Sequence, residues 1–396
     1  MFGTAALDAF ARLRVSTPET VSDSKQLHDK NPLFWDESIT DGSGNATSTH
    51  STVDAATTMH VESGDTIIRQ TKTHWAYQPG KSQLCIDTAN LSAGGTGVTA
   101  RVGSFTATDG VFFESSGGDL HCVVRKNSSD TKVSRTTGSY ALDQESWNGD
   151  KLNGNGPSGI TIDPSKVQIL FIAFEWLGVG SVIFGFFVNG EPIICHIHNH
   201  ANRQTAVYMS TPNLPVRYEI ASTGDTAELQ HICSTIISEG GRAVSGVTHN
   251  HTTDDNPIAG TTGNIYAVLG IRLKSTHLDA NVVPIHVAML AETANDNFEW
   301  FLCVNPTIAG TFTYNNVTNS AVQLARGATA NTITNNSWDI RLSGGLGSTA
   351  APNVDEIDTD LMLGSQIDGT PDEFVLAFRP ISNCTVHGTL TAREIA

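Results

Sequence analysis

The sequence predicts an all-β protein: antiparallel β-sandwich or jelly-roll-like domains, two in tandem, behind a short N-terminal arm or helix. Three observations carry that prediction. Apolar runs of about five to ten residues recur along the chain and are closed by Gly, Asn, Asp and Ser rather than by helix caps. Helical periodicity is confined to the start, where Ala6, Leu7, Phe10 and Leu13 share a face. Of 396 residues only 16% are charged while 36 are glycine, which excludes a charge-rich disordered chain and a helical bundle.

Residues 1–40 read as an arm or anchoring segment. Phe10, Leu13, Arg14, Val15 and Trp35 are its candidate interface residues, and the opening MFGTAALDAFARLRV carries Asp8, Arg12 and Arg14 where a signal peptide needs an unbroken apolar stretch. A polar, low-complexity loop is expected over 40–56. The large sandwich is expected over 41–240. Its strands begin with DTIIRQTKTHW (65–75), SQLCIDTA (82–89), VTARVGSF (98–105), GVFFES (110–115) and LHCVVRK (120–126). TAVYM (205–209), PVRYEIA (215–221) and ELQHICSTIIS (228–238) complete the set.

Between these groups, VQILFIAFEWLGVGSVIFGFFV (167–188) has the length of a transmembrane helix. Glu175 at its centre, the Gly178 and Gly180 breaks and the β-branched and aromatic content argue instead for two strands. Asn189-Gly190 then turns into EPIICHIH, which completes an antiparallel meander. Residues 241–263 are polar, rich in turn formers and without an apolar period, so a linker is placed there. A smaller sandwich follows over 264–396, with strands near 264–274, 282–292, 298–304, 374–379 and 385–394 and a loop-rich stretch over 305–372.

Electrostatics disfavour nucleic acid as a partner. The chain holds 23 Lys and Arg against 40 Asp and Glu, a net charge of −17. The six cysteines form no CxxC motif. There is no GxSxG elbow, and Gly80-Lys81-Ser82 lacks the upstream glycine of a phosphate loop because Trp75 stands there. His196-Ile197-His198-Asn199-His200 is the sharpest local pattern. In an extended strand its three imidazoles align on one face and suit a transition metal, the one cofactor considered. The plainer account is a polar strand face with Cys195 and Ile197 turned to the core. Glu37, Asp65, Glu114, Glu145, Asp163 and Glu175 supply carboxylates for hydrolysis, but no spacing selects a pair. Among the tryptophans, Trp35 and Trp147 lie in polar contexts and are the better candidates for an interface or a sugar-stacking platform.

Several segments carry a family resemblance: AFARLRVSTPETVSDSKQ and NPLFWDE (within 9–37), YQPGKSQ (77–83) and RVGSFTATDGVFFE (101–114). The longest block runs from Trp147 to Asn202, followed by LPVRYEI (214–220) and LGSQIDGTPDEFVLAF (363–378). Together they resemble a family of tailed-phage virion proteins common in marine and cyanobacterial phages. The resemblance implies a non-enzymatic structural component of the particle, associated with tail, neck or fibre. Head decoration and a carbohydrate-binding host-recognition module are the alternatives. The expected partners are copies of itself as a homotrimer, other virion proteins and a host surface glycan, without nucleic acid or membrane insertion. The expected location is the virion.

Overall fold

Alternation of apolar and polar residues, punctuated by Gly and Asn turns, leaves the backbone extended. Each strand must then pair with another to satisfy its N–H and C=O groups. The structure is a computed structural model and describes residues 17–91, 95–135, 146–241, 245–293, 296–334, 339–346, 353–356 and 361–395. It divides into two units, Met1–Ala243 and Val244–Ala396. Among the described residues every strand pairing is antiparallel and there is no helix.

The first unit opens with β1 (Glu19–Lys25), β2 (Trp35–Thr40), β3 (Thr47–Ser51), β4 (Ala56–Val61) and β5 (Thr66–Thr71). Next come β6 (Gln83–Asn90), β7 (Val98–Phe105), β8 (Gly110–Ser116), β9 (Asp119–Lys126) and β10 (Ser129–Ser134). It closes with β11 (Val167–Phe174), β12 (Ser181–Val188), β13 (Glu191–Asn199), β14 (Val216–Ser222) and β15 (Ala227–Ser238). One sheet has the order β13-β12-β11-β6-β15-β4-β3, with β1 also on β15, and the other the order β10-β9-β8-β7-β14-β5-β2. Aromatic rings fill the space between them. Phe113 meets Phe184 and Phe186 at 5.4 and 4.9 Å, Tyr218 stacks on His231 at 4.1 Å, and Trp35 stands edge-on to His231 at 4.3 Å.

The second unit holds β16 (Gly246–Thr252), β17 (Ile258–Gly260), β18 (Tyr266–Leu273), β19 (Asn281–Ala291), β20 (Phe298–Val304) and β21 (Tyr314–Asn316). It continues with β22 (Val322–Arg326), β23 (Asp339–Leu346), β24 (Asn353–Glu356), β25 (Glu373–Pro380) and β26 (Cys384–Ile395). Its sheets run β16-β26-β19-β24, with β17 also on β26, and β21-β22-β18-β25-β20-β23. Leu269, Trp300, Leu376 and Phe378 pack against Val287, Met289, Val386 and Leu390 between the two sheets. Ile308, Phe312 and Ile333 cover a second apolar face formed by Ala267, Phe301, Cys303, Val375 and Ala377.

The 167–188 run is two strands of a meander, β11 and β12, and no helix among the described residues is long and apolar enough to cross a membrane. Several expectations need correction. Residues 17–40 are not a detached arm, since β1 and β2 pair with β15 and β5 inside the first unit. Trp35 is 2% exposed and donates to Ser24 Oγ at 2.8 Å, so it is a core residue rather than an interface one. Phe10, Leu13, Arg14 and Val15 lie outside the described residues. The stretch 40–56 contains β3 and the turn into β4, and 241–263 contains β16 and β17, both paired to β26. β3 and β16 are polar strands at sheet edges, so hydrophobic period gives no signal for them. Residues 205–209 form no strand, although Tyr208 and Met209 are buried. All six cysteines are free.

Candidate functional site

The face of the β10–β2 sheet that turns away from its partner sheet gathers the charges of the first unit. Val216, Tyr218 and Ile220 of β14 point inward, so the pleat sends Arg217 and Glu219 outward. Register then builds rows across the sheet: Glu219, Arg101 and Glu114 in one, and Gln70, Arg217, Gly103, Phe112, Val123 and Lys132 in the next. Arg101 donates Nε–H to Glu114 at 2.7 Å and Nη1–H to Glu219. Lys132 donates to the other Glu114 oxygen at 2.7 Å, and Arg217 donates to Glu219 at 3.0 Å and to Gln70 at 3.1 Å. Arg125 pairs with Asp130 at 2.6 Å and lies 4.8 Å over the Phe112 ring.

Two glycines make this face possible. A Cβ on Gly103 would meet the Phe112 Cα at 2.8 Å, and one on Gly110 would fall 2.2 Å from the Phe105 Cβ. The phenyl rings, 4.3 Å apart, occupy the room the glycines leave, and the arginines close over them.

Burial pushes the Glu114 carboxyl up, but hydrogen bonds and charge from Lys132 and Arg101 outweigh it and hold it below the ordinary value. Glu219 is likewise raised by burial and brought down further by Arg217 and Arg101. A hydrolase acid needs a carboxyl that keeps its proton near neutral pH. Neither of these does. Among the other carboxylates expected from sequence, Glu37 is paired with Arg69 and Lys30, and Asp65 and Asp163 accept local N–H and hydroxyl donors; all three sit below their ordinary values. Glu175 accepts from the Ser181 N–H at 3.2 Å, the structural role open to it, and Glu145 lies outside the described residues. Asp87 is the contrary case. Burial between the sheets pushes it up to about 7, with only the Tyr218 hydroxyl, 3.4 Å away, pulling it down.

The histidine segment turns its imidazoles into the protein rather than to solvent. A bulge at Cys195, between the Gly185–Ile194 and Phe184–His196 pairs, turns His196 and His198 inward and Ile197 outward. His196 is 1% exposed and neither ring nitrogen has a partner, so burial depresses it to about 4. His198, depressed by burial to about 3, lies 5.8 Å from the His200 ring, and both stand edge-on to Tyr208. Among the described residues no group of three His, Cys, Asp or Glu side chains is placed to hold a metal ion.

Trp147, 2% exposed, donates to the Val133 carbonyl at 3.0 Å and packs toward Phe186, so no stacking platform forms from Trp35 and Trp147. A groove of about 500 Å³ on the β3–β4–β15 face went unnoticed in the sequence. Asn45, Thr47, Thr49, Thr58, His60, Glu62 and Glu228 line it. His60 contacts Glu228 at 3.1 Å, and Asn45 donates to Glu62 at 3.1 Å. Thr47 and Thr49 at alternate positions of β3, with Thr58 and His60 at alternate positions of β4, were the available signal. The arginine-clamped face was also overlooked, although Arg217 and Glu219 at alternate positions of PVRYEIA, with Arg101 inside VTARVGSF, mark it.

These features define an all-β antiparallel sandwich protein with an arginine- and lysine-clamped pair of carboxylates, Glu114 and Glu219, on one outer sheet face. No protein-family model matches the chain, and no curated protein matches it. Solved structures similar to it include a Bacillus licheniformis β-glucanase, 10% identical, which covers 56% of this chain and 98% of its own at a TM-score of 0.33. The carbohydrate recognition domain of Emp47p is 10% identical, covering 57% and 98% at 0.36. The CBM2 module of the evolved Dit of Lactobacillus casei BL23 phage J-1 is 7% identical, covering 57% and 98% at 0.35. Likenesses of this size carry no function across to this chain.

Proposed function

We propose that this chain is a non-enzymatic structural component of a bacteriophage virion, associated with the tail, neck or fibre. The virion assignment rests on the family-like segments, whose longest block, 147–202, folds into the β11–β13 meander and the loop before it. The observation that carries the non-enzymatic part is the clamping of Glu114 and Glu219 by Arg101, Arg217 and Lys132, which leaves both ionised and neither able to act as a proton donor. Quantitative mass spectrometry of purified particles tests the reading. A few copies to a few dozen per particle supports the tail, neck or fibre position. A copy number comparable to the major capsid protein moves it to head decoration, and absence from the particle overturns it.

One observation favours a second reading, host-glycan recognition: the hydroxyl- and carboxylate-lined groove on β3, β4 and β15. Glycan-array binding lost in Thr58→Ala and Glu228→Ala, but kept in Trp147→Phe, would establish it.

A further inference from the structure

The other sheet of the first unit has an outer face unlike that of a sandwich exposed to water. One face of an antiparallel sheet is normally solvated and polar. Register instead places Ile237, Leu84, Ala173, Ile183 and Ile197 in one continuous row across β15, β6, β11, β12 and β13. The next row passes through Ile86, Phe171 and Ile194, and the third through Ile169 and Phe187. The inward positions of the same strands are already occupied, because Phe184, Phe186 and Cys85 face Phe113 and Ser104 of the second sheet. Three rows over five strands give fifteen outward positions, and none carries a charge. Exposure is concentrated at one end of the face, where Ile169 is 43% exposed and Val167, one step along, 49%, while Phe171 and Ala173 are packed down to 6% and 5% by their neighbours.

We propose that this face is covered by the same face of a second copy of the chain, packed sheet on sheet about a twofold axis. Five strands about 4.8 Å apart and three same-face positions about 6.8 Å apart make a flat area of roughly 500 Å². A stable pair buries about 800 Å² per partner, with an apolar centre and a polar rim. The patch has the size of that centre, and the exposed Asp23–Lys25 pair of β1 lies at its border. An uncharged face is also where two chains of net charge −17 meet with least repulsion. A flat sheet face takes a flat partner, and its own copy supplies one of matching character; two such sheets stack about 10 Å apart.

The test is sedimentation of the purified full-length chain with Ile169→Lys and, separately, Val167→Lys. Wild type is expected as an even-numbered assembly. Both variants should sediment as half of it and retain the wild-type far- and near-UV circular dichroism, with self-association weakened about 100-fold or more for a lysine placed against an apolar partner. Val167 is half exposed, so its variant decides if Ile169→Lys fails to fold. A wild type that stays monomeric at about 100 µM overturns the proposal, as does an odd-numbered assembly or one that a folded Val167→Lys chain forms unchanged. The inference concerns the isolated chain and stands or falls independently of the virion assignment.

Discussion

His196 gives the sharpest test of how this fold responds to acid. Its imidazole lies between the sheets beside Phe184 with both nitrogens unpartnered, and burial depresses it from 6.5 to about 4. A base depressed in the fold takes up its proton more readily once unfolded. Its contribution is therefore present above pH 6.5 and is lost as pH falls toward 4. Between 6.5 and 5 the loss is 1.5 pH units at about 1.4 kcal/mol each, or about 2 kcal/mol, and by pH 4 it reaches about 3 kcal/mol. Asp87, raised to about 7, acts oppositely: it is neutral in the fold at low pH and gains stability on acidification through the same window. Wild type alone therefore mixes the two, and the difference from His196→Leu isolates the imidazole. Native-state hydrogen exchange of the β12 and β13 amides reads the opening free energy of this unit. Relative to wild type, His196→Leu should gain about 2 kcal/mol on going from pH 7.5 to pH 5. A difference that does not change with pH refutes the reasoning.

Other outcomes follow from specific contacts. Arg69→Met should cost about 3–5 kcal/mol in urea unfolding, because Arg69 is 1% exposed and bridges Glu37 and the Lys30 carbonyl. Gly185→Ala should cost about 1–3 kcal/mol, since its Cβ would fall 2.3 Å from the Phe171 ring. Its strain should shrink in a Phe171→Leu background if the ring is the obstacle, which a double-mutant cycle measures. Trp147→Ala should lose about 3–5 kcal/mol by thermal or urea unfolding, the cost of an emptied core site.

Where apolar residues alternate, the chain announces its strands. β7 and β20 occur over the residues the pattern marks, and β6, β14 and β26 differ from it by a residue at their ends. The strands it hides are polar on both faces, such as TSTHS and GVTHNHT, held by register to a neighbour rather than by an apolar face of their own. The histidine triplet misleads for a related reason. Period-two reasoning cannot see the bulge at Cys195 that turns His196 and His198 into the core. Trp35 and Trp147 misread because their polar neighbours in sequence hide their burial, each indole N–H being satisfied by a partner more than ten residues away, Ser24 and the Val133 carbonyl. The arginine-clamped face depends on six strands lying side by side, an arrangement that no local window contains.

The order in which the strands pair bears on how the chain comes off the ribosome. β15 is the last strand of the first unit, yet β1, β4 and β6 all pair with it, and it separates β6 from β4 in the sheet. β26 likewise closes the second unit by joining β16, β17 and β19. Until each late strand is synthesised, the earlier strands that pair with it keep an open edge. Folding of each unit is thus delayed to the end of its own translation, and the nascent chain spends that interval exposed to aggregation.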